Sequence, residues 1–249
     1  VRQKITLILG VVYFALAGVI VILSPLVWWL IRTAPEPAGT RRVALPFPQL
    51  IRSREFRLLA LIFFLASLAI LGTLVQFVPM LTDWGLSARK AGATAGLIGA
   101  TAIAGRLLVG LLLDRMAPLV VTAGVFLLVA GGLVLLGLAG PPFAVAGAVV
   151  LGLAVGAEVD LIAFLVGRYF QSALYGQTYG AIYAAFLIGG ALGPAISGYS
   201  QQATGDYRAS LFGAGGCMIV AAALSIVLAR TVSDGAGHVS RALSGGEHG

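Results

Sequence analysis

Seven long apolar runs divide the chain, at roughly residues 6–31, 57–81, 91–114, 119–139, 143–167, 178–200 and 209–229. All are too long and too continuous for strands. About 20 apolar residues wound as a helix cross a hydrocarbon core about 30 Å thick, so each run predicts one spanning helix. Pro118 and Pro141–Pro142 fall in the gaps, where helices end, and Ser87 stands at the N-cap expected for the third run. The expected fold is therefore all-α, a polytopic transmembrane helix bundle of about seven spans.

Composition agrees. The chain has 249 residues, of which 59% are hydrophobic and 10% charged, against about 25% charged in a soluble domain. The net charge of +7 does not indicate a nucleic-acid partner, because the basic residues sit mostly in short gaps between apolar runs. The longest gap holds Pro35, Pro37, Pro46 and Pro48, with Arg32, Arg41, Arg42, Arg52, Arg54 and Arg57 at or near its edges. It reads as a cytoplasmic loop. Sides then alternate, and Arg115, Arg168, Arg230 and Arg241 join the cytoplasmic set, while Arg2, Lys4, Arg89, Lys90 and Arg208 lie outside. The C-terminus is then cytoplasmic. Cys217 is a single cysteine inside a run, and His238 and His248 sit in a Gly/Ser-rich tail. These predict no disulfide within the chain, no metal site and no cofactor.

The chain opens at Val1 directly into an apolar run, which reads as the continuation of a longer protein. The expected organisation is a helix over 1–32 that closes a missing N-terminal half, a cytoplasmic central loop at 33–56, a six-helix bundle at 57–230 and a disordered cytoplasmic tail at 231–249. Six helices after a long loop suggest the second half of a two-fold repeated transporter, itself a 3+3 inverted repeat.

Charges inside the runs point to chemistry, since each costs at least about 2.5–3.5 kcal/mol to insert. Arg106 lies eight residues before Asp114, roughly 12 Å inside the cytoplasmic end. A guanidinium there can snorkel, form a structural ion pair, or grip a carboxylate in bidentate fashion. Glu158 and Asp160 lie at a comparable depth in the fifth run. Two residues is about 200° of helix, so the acids face apart. Asp160 shares a face with Gly156 and Gly167, suited to helix contact, and Glu158 faces with Leu151, Ala154 and Leu165, toward a cavity. Both are candidates for proton coupling, with a static, ordering ion pair as the bland alternative. Arg106, Glu158, Gln76 and Tyr183 are the candidate solute-binding residues. Glycines four apart, Gly92–Gly96, Gly152–Gly156, Gly176–Gly180 and Gly189–Gly193, predict close helix contacts. Gly189, Gly193 and Pro194 are the expected packing or hinge positions.

Three stretches together, "GRLLVGLLLDRM" at 105–116, "GAEVDLIAFLVGRYF" at 156–170 and "GQTYGAIYAAFLIGGALGP" at 176–194, resemble the C-terminal half of a major facilitator superfamily transporter, helices 6–12. The resemblance covers about residues 1–230 and implies that Gly110, Asp114 and Arg115 form a cytoplasmic gating motif. Ala117, Pro118 and Leu119 depart from that motif, where further glycine and basic residues are common. The "GR" at Arg106 followed by "GLLLD" looks like the monocarboxylate and oxalate/formate branch, whose helix-8 arginine binds carboxylate. The implied protein is no enzyme but a secondary transporter in a bacterial inner membrane. It would move an organic anion such as a mono- or dicarboxylate, as a proton symporter or an antiporter exchanging a counter-solute. Export of a hydrophobic, drug-like solute is the second expectation. The third is a fragment without transport of its own, serving as a structural or interaction module.

Overall fold

A computed structural model describes the backbone of residues 24–25, 47–170 and 174–244, with side chains described from Pro48 and, in the last helix, as far as Val232. Ser24 and Pro25, both helical, belong to a separate unit spanning 1–43. The rest of the run expected at 6–31 lies outside the described residues. The second unit contains a short helix, α1 (Phe47–Arg52), and six long ones: α2 (Arg54–Asp83), α3 (Ala88–Leu113), α4 (Pro118–Ala139), α5 (Ala144–Tyr169), α6 (Tyr175–Thr204) and α7 (Arg208–Ser244). A 3-10 turn, Pro141–Phe143, leads into α5. Among the described residues, six helices are long and apolar enough to span a membrane.

The helix ends follow local chemistry. Ser53 caps α2, its Oγ accepting from Phe56 N and donating to Leu50 O. This cap starts α2 at Arg54, three residues ahead of the apolar run, because Arg54, Glu55 and Arg57 are good helix formers though not apolar. The loop expected at 33–56 thus contains α1, with Pro48 tolerated in its first turn. Ser87 caps α3 as expected, accepting from Lys90 N. At the other limit α7 continues past residue 230 to Ser244, so the expected tail begins inside a helix, and residues 245–249 lie outside the described set.

Apart from α4 and α5, consecutive helices barely pack on each other. Instead α2 packs most extensively on α6, α3 on α5, and α4 on α7, with lesser α2–α7 and α4–α5 contacts. Exchanging α2 with α5, α3 with α6 and α4 with α7 maps this pattern onto itself. The exchanged helices run in opposite directions, so the bundle is a 3+3 inverted repeat. Its core includes Leu59, Ile62, Phe63 and Ile70 of α2, Phe126 and Leu133 of α4, and Leu151, Leu161 and Leu165 of α5. The helices α3 and α6 are the least buried.

Candidate functional site

Close backbone contact sets the geometry between α3 and α5. A Cβ on Gly156 would run into Ala102 O, and one on Gly105 would sit 2.6 Å from Leu153 O. Only glycine lets the two backbones approach this closely. The two helices run in the same direction, so one turn beyond the Ala102–Gly156 contact brings Arg106 and Asp160 level. Arg106 Nε lies 3.0 Å from Asp160 Oδ2. This is the counter-charge that the matched depths suggest, and Asp114 is not involved.

The pair is on an open face of the bundle. Its side chains are 62% exposed for Arg106 and 43% for Asp160, so neither is enclosed by the described residues. Alongside it, α6 carries a ladder of rings: Tyr175 stacks on Tyr179, Tyr179 on Tyr183 and Tyr183 on Phe186, with centroids 5.9, 5.6 and 5.4 Å apart. The spacing i, i+4, i+8, i+11 places all four on one stripe. Asp160 is within electrostatic reach of Tyr179, which links the ladder to the ion pair. Tyr175 Oη donates to Ala163 O, tying the start of α6 to α5.

Glu158 is placed differently. It is 3% exposed, inside the bundle, and its Oε2 has no hydrogen-bond partner among the described residues. It faces away from Asp160 as its spacing requires, but toward the packed interior rather than toward the open face. Ser67 Oγ on α2 and Thr178 Oγ1 on α6 are also buried without a partner. Neither was singled out from the sequence, since a lone hydroxyl in an apolar run carries no visible signal. Tyr183 joins Arg106 and Asp160 through the ladder, whereas Glu158 and Gln76 do not. Gln76 lies toward the other end of α2, its amide nitrogen against Gly198 of α6.

Asp114 is the C-cap of α3, and with Arg115 and Gly110 it is exposed; neither charge forms an ion pair among the described residues. Gly189 and Gly193 are packed so that a Cβ would run into Phe64 O and Leu68 O of α2, and Pro194 sits inside α6 directly after that contact. At the opposite end of the bundle Tyr207 Oη donates to Asp83 Oδ2 at 2.7 Å, and Trp84 packs edge-on against the Tyr207 ring. These residues are 124 positions apart, and no local pattern announces the pair.

The family model described as Major Facilitator Superfamily matches residues 6–194. No curated protein matches the chain. Among solved structures, a variant of the E. coli fucose:proton symporter FucP matches with a TM-score of 0.72 and 19% identity, covering 85% of this chain and 54% of that one. FucP in the outward conformation matches with a TM-score of 0.74 and 18% identity, over 85% of this chain and 53% of that one. The chain therefore spans about half the length of these structures, and at such identity the likeness is one of fold.

Proposed function

The chain belongs to the major facilitator superfamily, and from that premise we propose that it forms part of a secondary transporter for a small solute, with the Arg106–Asp160 pair at its binding face. The protein resides in a bacterial inner membrane with its C-terminus in the cytoplasm, and a preceding half completes the cavity. The single observation that carries the reading is the exposed, 3.0 Å ion pair between two different helices.

Such a pair can exchange partners. While Asp160 is ionised it occupies Arg106. A proton taken up by Asp160 releases the guanidinium, which then accepts a carboxylate in bidentate fashion. One proton and one monocarboxylate move together, and the charge of the site stays constant. Glu158 is the second proton-carrying group, because a proton there removes the cost of an unpaired charge inside the bundle. The exposed Asp114 and Arg115 gate the cytoplasmic end by pairing with groups brought to them when that end closes.

The test is uptake of labelled monocarboxylates into proteoliposomes of the full protein, with and without an inward proton gradient. Arg106→Ala should abolish uptake, and Arg106→Lys should raise KM by about tenfold, since the fork geometry is lost. Asp160→Asn should keep binding but lose the response to the gradient. Unchanged affinity in both arginine variants removes Arg106 from the site. A gradient response like that of the wild type in both Asp160→Asn and Glu158→Gln removes the acids from coupling.

A second reading follows from the same pair being electrically neutral overall. A neutral polyhydroxylated solute also fits donors and acceptors flanked by the Tyr179 and Tyr183 rings, and FucP is a fucose:proton symporter. Competition of labelled uptake by monosaccharides but not by carboxylates would favour it.

A further inference from the structure

Apolar and aromatic side chains surround the Arg106–Asp160 pair. Ile103, one turn along α3 from Arg106 and about 60° around the helix, is 68% exposed. On α5, Val159 stands next to Asp160 and is partly buried. The rings of α6 complete the surround. Because α5 and α6 are consecutive and antiparallel, the bond from Tyr175 Oη to Ala163 O fixes their register. One turn further along α6, Tyr179 comes level with Val159 and Asp160, and Tyr183 follows a turn beyond. The ladder grades from Tyr175, 36% exposed, to Phe186, 4% exposed. Its middle rungs, Tyr179 and Tyr183, are partly buried, with an interplanar angle of 9° and centroids 5.6 Å apart. Near-parallel rings at that separation are offset, so each leaves an edge and part of a face uncovered. The helices α3 and α6 hardly touch each other, which leaves space between Ile103 and these rings.

Resting on the binding role proposed above for Arg106, we infer that the solute is an aromatic monocarboxylate, its carboxylate held by Arg106 and its ring set between Ile103 and the edges of Tyr179 and Tyr183. A benzoate-like anion carries its charge at the edge of one flat, rigid ring. The guanidinium fork takes both carboxylate oxygens, and no flexible chain has to be ordered for the ring to reach the tyrosines. Ring faces and ring edges carry opposite partial charge, so an aromatic ring gains contact energy here that a saturated ring of the same size does not. A short dicarboxylate matches these helices poorly. Along α5 the next arginine is Arg168, eight residues from Asp160 or about 12 Å, and Arg115 lies beyond the end of α3.

Equilibrium binding of labelled benzoate to the purified full protein, in mildly acidic buffer and with unlabelled acids as competitors, tests this. Benzoate should compete about fivefold better than cyclohexanecarboxylate and better still than lactate, and oxalate should compete least. Tyr183→Leu should lower benzoate affinity about fivefold, to the level of cyclohexanecarboxylate. Tyr183→Phe should keep the preference, since the ring and not the hydroxyl makes the contact. Ile103→Ala trims an exposed side chain, so the fold is kept, and it should weaken both ring acids by about fivefold while lactate is unchanged. Benzoate that fails to bind, lactate or cyclohexanecarboxylate that competes as well as benzoate, or full benzoate affinity in both Tyr183→Leu and Ile103→Ala would each overturn the aromatic assignment. Arg106→Ala separates the two levels. If it abolishes carboxylate binding while lactate matches benzoate in the wild type, Arg106 keeps its role and only the aromatic assignment falls. If it binds benzoate like the wild type, both fall.

Discussion

Tyr207 and Asp83 hold together two segments that hydropathy alone separates. A hydrogen bond to a charged acceptor contributes about 1.5–3 kcal/mol. Tyr207→Phe should therefore lower the thermal midpoint measurably, while Tyr199→Phe, at a position 75% exposed, should leave it unchanged. The effect carries a pH signature. Burial, and then the hydrogen bond and charge of Asp83, push the Tyr207 phenol up to about 12 from an ordinary value near 10. A raised value means that the folded state favours the neutral phenol. Its stabilisation is complete below about pH 10 and is lost as pH rises through about 12. Thermal melts between pH 8 and 12 should show a constant gap between wild type and Tyr207→Phe up to about pH 10 and a closing gap above it. Parallel curves throughout would remove Tyr207 as the cause. Such pairs are illegible in a sequence because nothing local marks them. Asp160 and Glu158 were both legible as counter-charges for Arg106, since depth in two spanning helices is countable, but which of the two pairs with it was not. The interior placement of Glu158 was only half legible: spacing fixes that it opposes Asp160, but not which side is solvent, lipid or core.

Four glycine pairs share one spacing, and the bundle treats them differently. Gly152 and Gly156 meet α3 at Ile98, Thr101 and Ala102, and Gly189 and Gly193 meet α2 at Phe64, Leu68 and Gly72. A Cβ at Gly92, Gly96, Gly176 or Gly180 meets nothing within 4 Å. Overpacking a tight contact costs about 1–3 kcal/mol or more, whereas Gly→Ala in an open helix gains up to about 1 kcal/mol. Gly156→Val and Gly193→Val should thus lose the monodisperse peak in size-exclusion chromatography or melt several degrees lower. Gly92→Ala and Gly176→Ala should match or exceed wild type. Equal behaviour of the four variants would show that the contacts at Ala102 and Leu68 tolerate a side chain. The four-residue spacing announces a close approach but names no partner, so the sequence could not sort these pairs. It also missed α1, whose six residues are too few to show a helical period and carry Pro48 in the first turn.

At the scale of the whole bundle, the six described spans were legible because apolar length is a direct requirement of the bilayer. Their arrangement was not, because the inverted repeat joins helices distant in sequence and hydropathy carries no azimuth. The repeat has a consequence for orientation. Alternating helices put Gly85, Pro141 and Asp206 at one end, and Arg54, Arg115 and Arg168 at the other. The orientation proposed above puts the second end, with its surplus of arginine, in the cytoplasm. The sequence contains a single cysteine, Cys217, half-buried within α7, and Cys217→Ser, together with replacement of any cysteine elsewhere in the full protein, gives a clean background for labelling. In that background Gly85→Cys and Asp206→Cys should react with a membrane-impermeant maleimide added to intact cells. Ala117→Cys should react only after permeabilisation, because it follows Asp114–Arg115 at the basic end. All three positions are at least partly exposed and lie in connections between helices, so the packed faces stay intact, although at Gly85, with φ +89°, a side chain strains the turn itself. The reverse pattern would invert the bundle, turning the proposed gate at Asp114 and Arg115 outward. Labelling of all three from one side would break the alternation on which the inverted repeat depends.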